Sequence, residues 1–336
     1  MTEQSVNPST RPKILVITPV HHIEGVAALL ESFAEVTYLP DPTPQDVMCD
    51  VTDQDAVFTN PNRSDVFIGR DVMDAGHALK AVCTASTGTN HIDAGCAAER
   101  GIRILSLTEQ RDVITKISST AEHALALMLA ALRHLPQAAE SVKRGEWDYT
   151  RFIGRQVDHL TVGVVGYGRL GTYFARYVNA LGSRVLVYDP YVTVEDASLA
   201  QVELDQLLGE ADIISLHVHV TPETTRMVDK SWFERMKPSM VLVNTSRGEI
   251  IDEVDLIAFL DATPGAMLAA DVVSGEVSAK RSSPLIDYAR SASNVILTPH
   301  LGGMTVEGQQ MAYMHAGRQL QRFFAESDSR PPAPER

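Results

Sequence analysis

Short apolar runs recur along the chain, separated by stretches with helical spacing. Lys13-Ile-Leu-Val-Ile-Thr18 reads as a buried strand, and further runs follow at 56–59, 79–85 and 102–107. A long helical stretch is expected from Ser118 to Gly145, with Ser119 or Thr120 as its cap and Glu122 in the first turn. A second series begins at Leu160-Thr-Val-Gly-Val-Val165 and continues through 184–189, 212–218, 240–246, 266–273 and 294–299. A last helix is expected over about 305 to 325. Strands alternating with helices imply parallel sheets. Because the two series are alike in kind, two doubly wound α/β domains are expected. The 118–145 helix crosses between them, and the terminal helix returns the chain to the first domain. Residues 1–12 and 327–336 are polar and contain prolines, so both ends are expected to be disordered or frayed.

The second series carries a candidate cofactor site. Gly166-Tyr-Gly-Arg-Leu-Gly171 follows a strand and opens a helix at about Arg169. The next strand ends in Asp189, roughly twenty residues on, which is the dinucleotide spacing. Gly166 allows a tight turn, Gly168 lets the backbone approach a pyrophosphate, and Gly171 lets helix and strand pack closely. The helix N-terminus offers N–H donors to phosphate. Asp189 can accept from both ribose hydroxyls and would repel a 2′-phosphate. Pro190, Tyr191 and Val192 follow it, with no Arg or Lys among them, so NAD is the expected cofactor.

Three residues after later strands supply candidate chemistry. Arg247 follows Met240–Ser246, Glu276 follows Met267–Val273, and His300 ends Asn294–Pro299. A 2-oxo acid presents a carboxylate beside a carbonyl, a geometry that a guanidinium fork matches. Hydride transfer to C2 leaves an alkoxide that needs a proton, and a histidine, which titrates near neutrality, can supply it. A neighbouring glutamate orients the ring and favours its protonated form. Each residue alone is unremarkable. Together, at strand carboxyl ends in the domain with the dinucleotide turn, they mark where ligands bind in open α/β sheets.

Composition narrows the picture. The net charge of −14 argues against nucleic acid or an anionic membrane as the main partner. Three cysteines, Cys49, Cys83 and Cys96, form an odd set without CxxC spacing. They read as reduced, largely buried thiols, and no metal site is expected. The N-terminus lacks a signal pattern, and the longest apolar run, Ala124 to Leu132, is too short to span a bilayer. A cytoplasmic protein is expected. That run is apolar nearly all round, and a homodimer packed through it is the corresponding expectation.

Thr245-Ser-Arg-Gly248, Ala270-Asp-Val272 with Glu276, and Thr298-Pro-His-Leu-Gly-Gly303 resemble the motifs of the D-isomer-specific 2-hydroxyacid dehydrogenases, in the phosphoglycerate-dehydrogenase-like branch. Ser86-Thr-Gly-Thr-Asn-His-Ile-Asp93 is similar to the family's substrate-domain loop, and Ala121-Glu-His123 to the start of its inter-domain helix. Ser215-Leu-His-Val218 and Thr221-Pro-Glu-Thr224 resemble its loop over the adenosine side. The resemblance implies a Rossmann NAD domain, 118–302, inserted into a flavodoxin-like substrate-binding domain, 1–117 plus 303–336. It implies catalytic roles for Arg247, Glu276 and His300. Arg169, Leu170, His217, Thr221, Thr245, Ser246, Asp271 and Gly303 would join the glycines and Asp189 along the cofactor. The backbone around Thr87, Gly88 and Thr89 would meet the substrate carboxylate. By its own position, Asn60-Pro-Asn-Arg63 follows a strand and could reach into the cleft. Three departures stand out: Val277 where Pro is common after the catalytic Glu, His219 before the Thr-Pro-Glu loop, and Asn90-His91 where many members have Asp-Asn. Arg63, Arg111 and Lys116 are candidates for a second anionic group, a phosphate or phosphonate. The competing expectation is a non-catalytic NAD(H)-sensing, corepressor-like protein on the same fold.

Overall fold

A computed structural model describes residues 11–61, 66–276 and 283–328. Most of residues 1–12 and 327–336, together with Arg63 and Val277, therefore lie outside the described residues. The chain forms two compact units, dividing at Ile117/Ser118 and again at Met304/Thr305. The second division falls two residues later than expected. Thr305 is already the start of the terminal helix, Val306–Asp328, since its hydroxyl accepts the Gly308 N–H at 3.0 Å.

The first unit holds five parallel strands: β1 Lys13–Val16, β2 Glu35–Tyr38, β3 Ala56–Thr59, β4 Ala81–Thr84 and β5 Arg103–Leu105. Their order is β2-β1-β3-β4-β5, one of the two common doubly wound arrangements. β1, β3 and β4 lie inside the sheet and are buried almost throughout, as the apolar runs imply. β2 is an edge strand. Glu35-Val-Thr-Tyr38 alternates exposed and half-buried positions, so it leaves no apolar run to find. The terminal helix packs back on this unit, with Tyr313, Ala316, Leu320 and Phe324 buried against Ile14, Phe58 and Cys83. Cys83 and Cys96 are buried, but Cys49 is exposed on the helix Pro44–Asp50.

The second unit holds β6 Thr161–Val165, β7 Arg184–Tyr188, β8 Ala200–Gln201, β9 Ile213–Leu216, β10 Val241–Asn244, β11 Met267–Ala270 and β12 Val295–Leu297. The order is β12-β11-β10-β9-β6-β7-β8, again all parallel. Chain order reverses between β6 and β9, the switch point at which such sheets bind ligands. Met236, Met240 and Met267 fill the core. Fully burying each leucine or isoleucine of these strands contributes roughly 1.5–3 kcal/mol.

The stretch expected as one helix from 118 to 145 is two, Ser119–Leu132 and Leu135–Lys143. Pro136 is the cause. A proline cannot donate to the carbonyl four residues back and its ring clashes with it. That carbonyl, on Leu132, accepts the Arg155 N–H at 3.2 Å instead. His134 takes a left-handed conformation, φ 50°, to make the break. The cap is Ser118 and not a later residue, and its hydroxyl donates to Glu122. The first helix uses its apolar side inside its own unit: Ala121, Ala124, Leu127, Met128, Ala131 and Leu132 are buried there. The exposed apolar residues come after the break, at Leu135, Val142, Trp147, Tyr149 and Ile153.

Candidate active site

Strand register places the second unit's functional residues in one row. Val165, Leu216, Asn244, Ala270 and Leu297 are successive partners across β6, β9, β10, β11 and β12. The next residue of each strand, Gly166, His217, Thr245, Asp271 and Thr298, therefore lies on the same carboxyl edge, with neighbouring strands about 4.8 Å apart.

The glycine turn suits a dinucleotide. Gly166 has φ 90°, and a Cβ on it would stand 2.6 Å from the His217 carbonyl oxygen. A Cβ on Gly171 would stand 2.0 Å from the Gly166 oxygen, so helix Arg169–Ala180 can start this close to β6 only with glycine there. A Cβ on Gly168 or Gly303 would meet nothing within 4 Å, which leaves open space over the helix N-terminus and over the last loop. No side chain caps that helix. Arg169 and Leu170 are partly buried at its start. Asp189 accepts the Tyr167 N–H at 2.7 Å on one oxygen and the Tyr191 N–H at 2.9 Å on the other. It thus anchors the glycine turn, and each oxygen keeps acceptor capacity.

His217 packs 5.0 Å from Phe174, and its Nε2 lies 2.9 Å from the Ser215 hydroxyl. Burial lowers its pKa to about 3, so the ring is neutral. Its Nδ1 and the Thr245 hydroxyl are buried polar atoms with no partner among the described residues. Two orphaned polar groups on the carboxyl edge are what a polar cofactor would satisfy. Ser246 faces its own chain, donating to the Leu216 carbonyl at 2.8 Å. Thr221 forms a local turn with Thr224 in an exposed loop, where the Thr224 hydroxyl also donates to the His219 carbonyl.

Arg247, Glu276 and His300 all follow strands on this edge. His300 Nδ1 lies 2.7 Å from Glu276 Oε1, and both side chains are less than one-fifth exposed. Arg247 is partly buried, extended, and donates to the Ser246 carbonyl at 2.6 Å. His300 has φ 54°, a left-handed conformation that non-glycine residues seldom adopt and that surrounding structure must enforce. Asp271 provides that enforcement. Its carboxylate accepts the Thr298 hydroxyl and the N–H groups of Leu301 and Gly302, and its carbonyl accepts the His300 N–H. His123 Nε2 stands 3.2 Å from the same carboxylate and 3.0 Å from the Thr298 hydroxyl. Burial alone would raise this carboxyl, but these hydrogen bonds hold it below the usual carboxylate range. Asp271 is 1% exposed, so here it shapes the turn that presents His300.

The first unit presents a different feature after β4. Five successive carbonyls are each engaged. Ala85 O accepts from Asn60 Nδ2 (3.1 Å), and Ser86 O from the Leu107 N–H (3.0 Å). Thr87 O accepts from Thr108 Oγ1 (2.7 Å), Gly88 O from Ser86 Oγ (2.7 Å), and Thr89 O from the Ile92 N–H (2.9 Å). The N–H groups of Ser86, Thr87, Gly88, Thr89 and Asn90 meet no acceptor among the described residues. A loop whose carbonyls are all engaged and whose amides meet no acceptor leaves its N–H dipoles available to an anion. His91 is fully buried beneath it and bonds Thr84 Oγ1 at 3.1 Å, which in turn bonds Ser86 Oγ at 2.8 Å. His91 therefore braces the loop and does not line it. Asn60 likewise acts on the loop through its amide. Arg111 and Lys116 are exposed on this unit. Sequence reasoning missed Ser86 and Thr108 as organisers; the Thr108 partner, Thr87, lies 21 residues away in the chain.

Fold and site together define a doubly wound α/β protein with a dinucleotide-type second unit. Residues 125–302 match the family model described as "D-isomer specific 2-hydroxyacid dehydrogenase, NAD binding domain". The chain belongs to the D-isomer-specific 2-hydroxyacid dehydrogenase family, and its second unit contains that family's NAD-binding domain. It is 34% identical over 315 residues to a D-3-phosphoglycerate dehydrogenase of Synechocystis, covering 93% of this chain and 54% of the relative. It is also 34% identical to a D-3-phosphoglycerate dehydrogenase of Methanocaldococcus jannaschii, covering 93% and 57%. The chain spans about half the length of the curated relatives it matches. A solved structure of D-lactate dehydrogenase from Escherichia coli superposes with a TM-score of 0.79 at 25% identity, covering 94% of this chain and 95% of that one.

Proposed function

We propose that the protein is an NAD-dependent dehydrogenase interconverting a D-2-hydroxy acid and its 2-oxo acid. The observation that carries the reading is the 2.7 Å contact between His300 and Glu276, on the strand edge that also bears Arg247 and the glycine turn. Bound NAD supplies the hydride acceptor, and NADH the donor. The turn at Gly166, Gly168 and Gly171, with Asp189, would hold the dinucleotide, and the orphaned Thr245 hydroxyl and His217 Nδ1 would be available to its polar groups. Arg247 pairs with the acid's carboxylate and polarises the C2 carbonyl. Because Nδ1 of His300 is tied to Glu276, Nε2 is the atom that exchanges a proton. It donates to the alkoxide in reduction and takes the hydroxyl proton in oxidation. The bare amides of Ser86–Asn90 serve substrate recognition in the first unit, with Asn60 shaping them.

A substrate with a second anionic group, such as phosphoglycerate, is the preferred reading. It is supported by the curated relatives' activity and by the exposed cations Arg111 and Lys116. The exposed apolar residues Leu135, Val142, Trp147, Tyr149 and Ile153 support a homodimer closed through this segment. The three unpaired cysteines fit a reducing cytoplasm. Among the described residues no helix is long and apolar enough to cross a membrane.

The test is NADH oxidation with a panel of 2-oxo acids, with and without a phosphate. The expected result is turnover that favours the doubly anionic acid and falls on the order of a hundredfold or more in His300→Asn while NADH still binds. NADH binding without turnover of any acid would favour the sensing role. Full activity in His300→Asn would remove His300 from the mechanism.

A further inference from the structure

The loop that carries Glu276 is gripped by residues to which the site has so far given no role. Gly248 packs so closely on it that a Cβ there would stand 1.9 Å from the Val273 carbonyl carbon and 2.1 Å from the Ser274 nitrogen. Glu249 Oε1 accepts the Gly275 N–H at 3.2 Å. Glu253 reaches further. Its Oε1 accepts the Ser274 N–H at 2.7 Å, and its Oε2 accepts the Ser283 hydroxyl at 2.6 Å. One side chain thus ties positions on both sides of Glu276, two residues before it and seven after.

Glu253 is a costly choice for a merely structural position. It is buried, at 7% exposure, and among the described residues no Lys or Arg pairs with it. Burying a carboxylate without a cation is unfavourable unless hydrogen bonds and dipoles compensate. Here two hydrogen bonds do so, together with the N-terminus of the helix Glu253–Ala262 that Glu253 opens behind its cap, Asp252. What this position supplies is two acceptors at a fixed separation.

We propose that Glu253 is a positioning residue for the His300–Glu276 pair: by anchoring Ser274 and Ser283 it sets Glu276 Oε1 against His300 Nδ1. The proposal rests on the dehydrogenase reading above. The comparison is of kcat, KM for the 2-oxo acid and NADH Kd in Glu253→Ala, Glu253→Gln, Glu276→Gln and the Glu253→Ala/Glu276→Gln double variant. Glu253→Ala is expected to lower kcat on the order of tenfold or more, because a loop displaced by a fraction of an ångström disturbs the reacting geometry, with NADH Kd unchanged. Glu253→Gln should largely restore kcat. Its amide oxygen can take the Ser274 N–H, and its amide N–H can donate to the Ser283 hydroxyl, which also accepts. In the Glu276→Gln background, Glu253→Ala should cause no further loss, since residues acting through one another are non-additive. If Glu253→Ala does not fold, Ser283→Ala removes the Oε2 anchor together with the cap of the helix Pro284–Ala289, leaving the Ser274 anchor in place, and a smaller kcat loss that vanishes in Glu276→Gln is expected. Unchanged kcat in the folded variant, multiplicative losses in the double variant, or no recovery in Glu253→Gln would each overturn the positioning role alone. A parent without turnover would overturn the dehydrogenase reading itself and the positioning role with it, whereas a Glu276→Gln variant as active as a turning-over parent would remove Glu276 from the mechanism and overturn the positioning role alone.

Discussion

Two loops at strand carboxyl ends are built with opposite polarity. After β4, the loop 85–90 turns its carbonyls to neutral donors, Asn60, Ser86 and Thr108 among them, and leaves a run of amides bare. After β12, the turn 298–302 does the reverse. Its amides at His300, Leu301 and Gly302 all go to Asp271, through its carbonyl or its buried carboxylate, and what remains presented is a side chain. The proposed function accounts for the difference by what each loop would have to offer. An anion is bound well by several fixed N–H dipoles, which need no charge of their own. A proton carrier must be one titratable ring in one orientation, so the backbone is immobilised to hold it, even at φ 54°. The first loop is therefore organised by neutral hydrogen bonds and the second by charge-assisted ones. Charge-assisted bonds contribute more, about 1.5–3 kcal/mol against roughly 0.5–1.5.

The largest expected effect is at Asp271. Asp271→Asn puts an amide N–H toward donors that now face a carboxylate, leaving at least one unsatisfied, at about 1–3 kcal/mol. The expected result is loss of turnover by roughly one to two orders of magnitude, from release of the His300 turn, with a lower urea midpoint. Near-parental kcat would show that the turn holds its shape without the carboxylate.

Stability against pH should show the next largest effect. Asp271 titrates below its ordinary value in the folded state, so its stabilisation is full above about pH 4 and is lost only as pH falls through the folded value. His217 is also depressed, to about 3 from 6.5. Between those values the unfolded chain binds a proton that the folded one does not, so stability rises with pH across that window. The second unit should lose up to about 1.4 kcal/mol per pH unit below pH 6.5, and His217→Gln should flatten that slope. An unchanged slope in the variant would mean that the ring is open to protons when folded.

The smallest effect belongs to the neutral loop. Ser86→Ala strips the Gly88 carbonyl of its donor and breaks the link to Thr84 and His91. A loss near 1 kcal/mol is expected, seen as a several-fold rise in KM for the acid with kcat and NADH binding unchanged. An effect on NADH binding alone would assign the bare amides to something other than substrate.

Much of this was legible in the residues. Unbroken apolar runs such as Ile213–Leu216 announce strands buried on both faces, and Gly166 and Gly171 announce a turn in which no other residue fits at those two positions. Arg247, Glu276 and His300 could be placed after strands because a parallel sheet collects its strand ends on one edge. Where the pattern misled, the cause was local. β2 is an edge strand whose alternation hid it, and Pro136 ended a helix that looked continuous.

Only the tertiary structure decided who holds whom. That Asp271 engages Thr298, Leu301 and Gly302, that Glu253 ties Ser274 to Ser283, and that Asn60 takes the Ala85 carbonyl depend on register and on loops meeting across strands. Hydrophobic period records which face a residue shows, and it therefore determines elements and their order. A hydrogen bond depends on ångström-scale placement of atoms from segments distant in the chain, and no pattern along one segment encodes its partner.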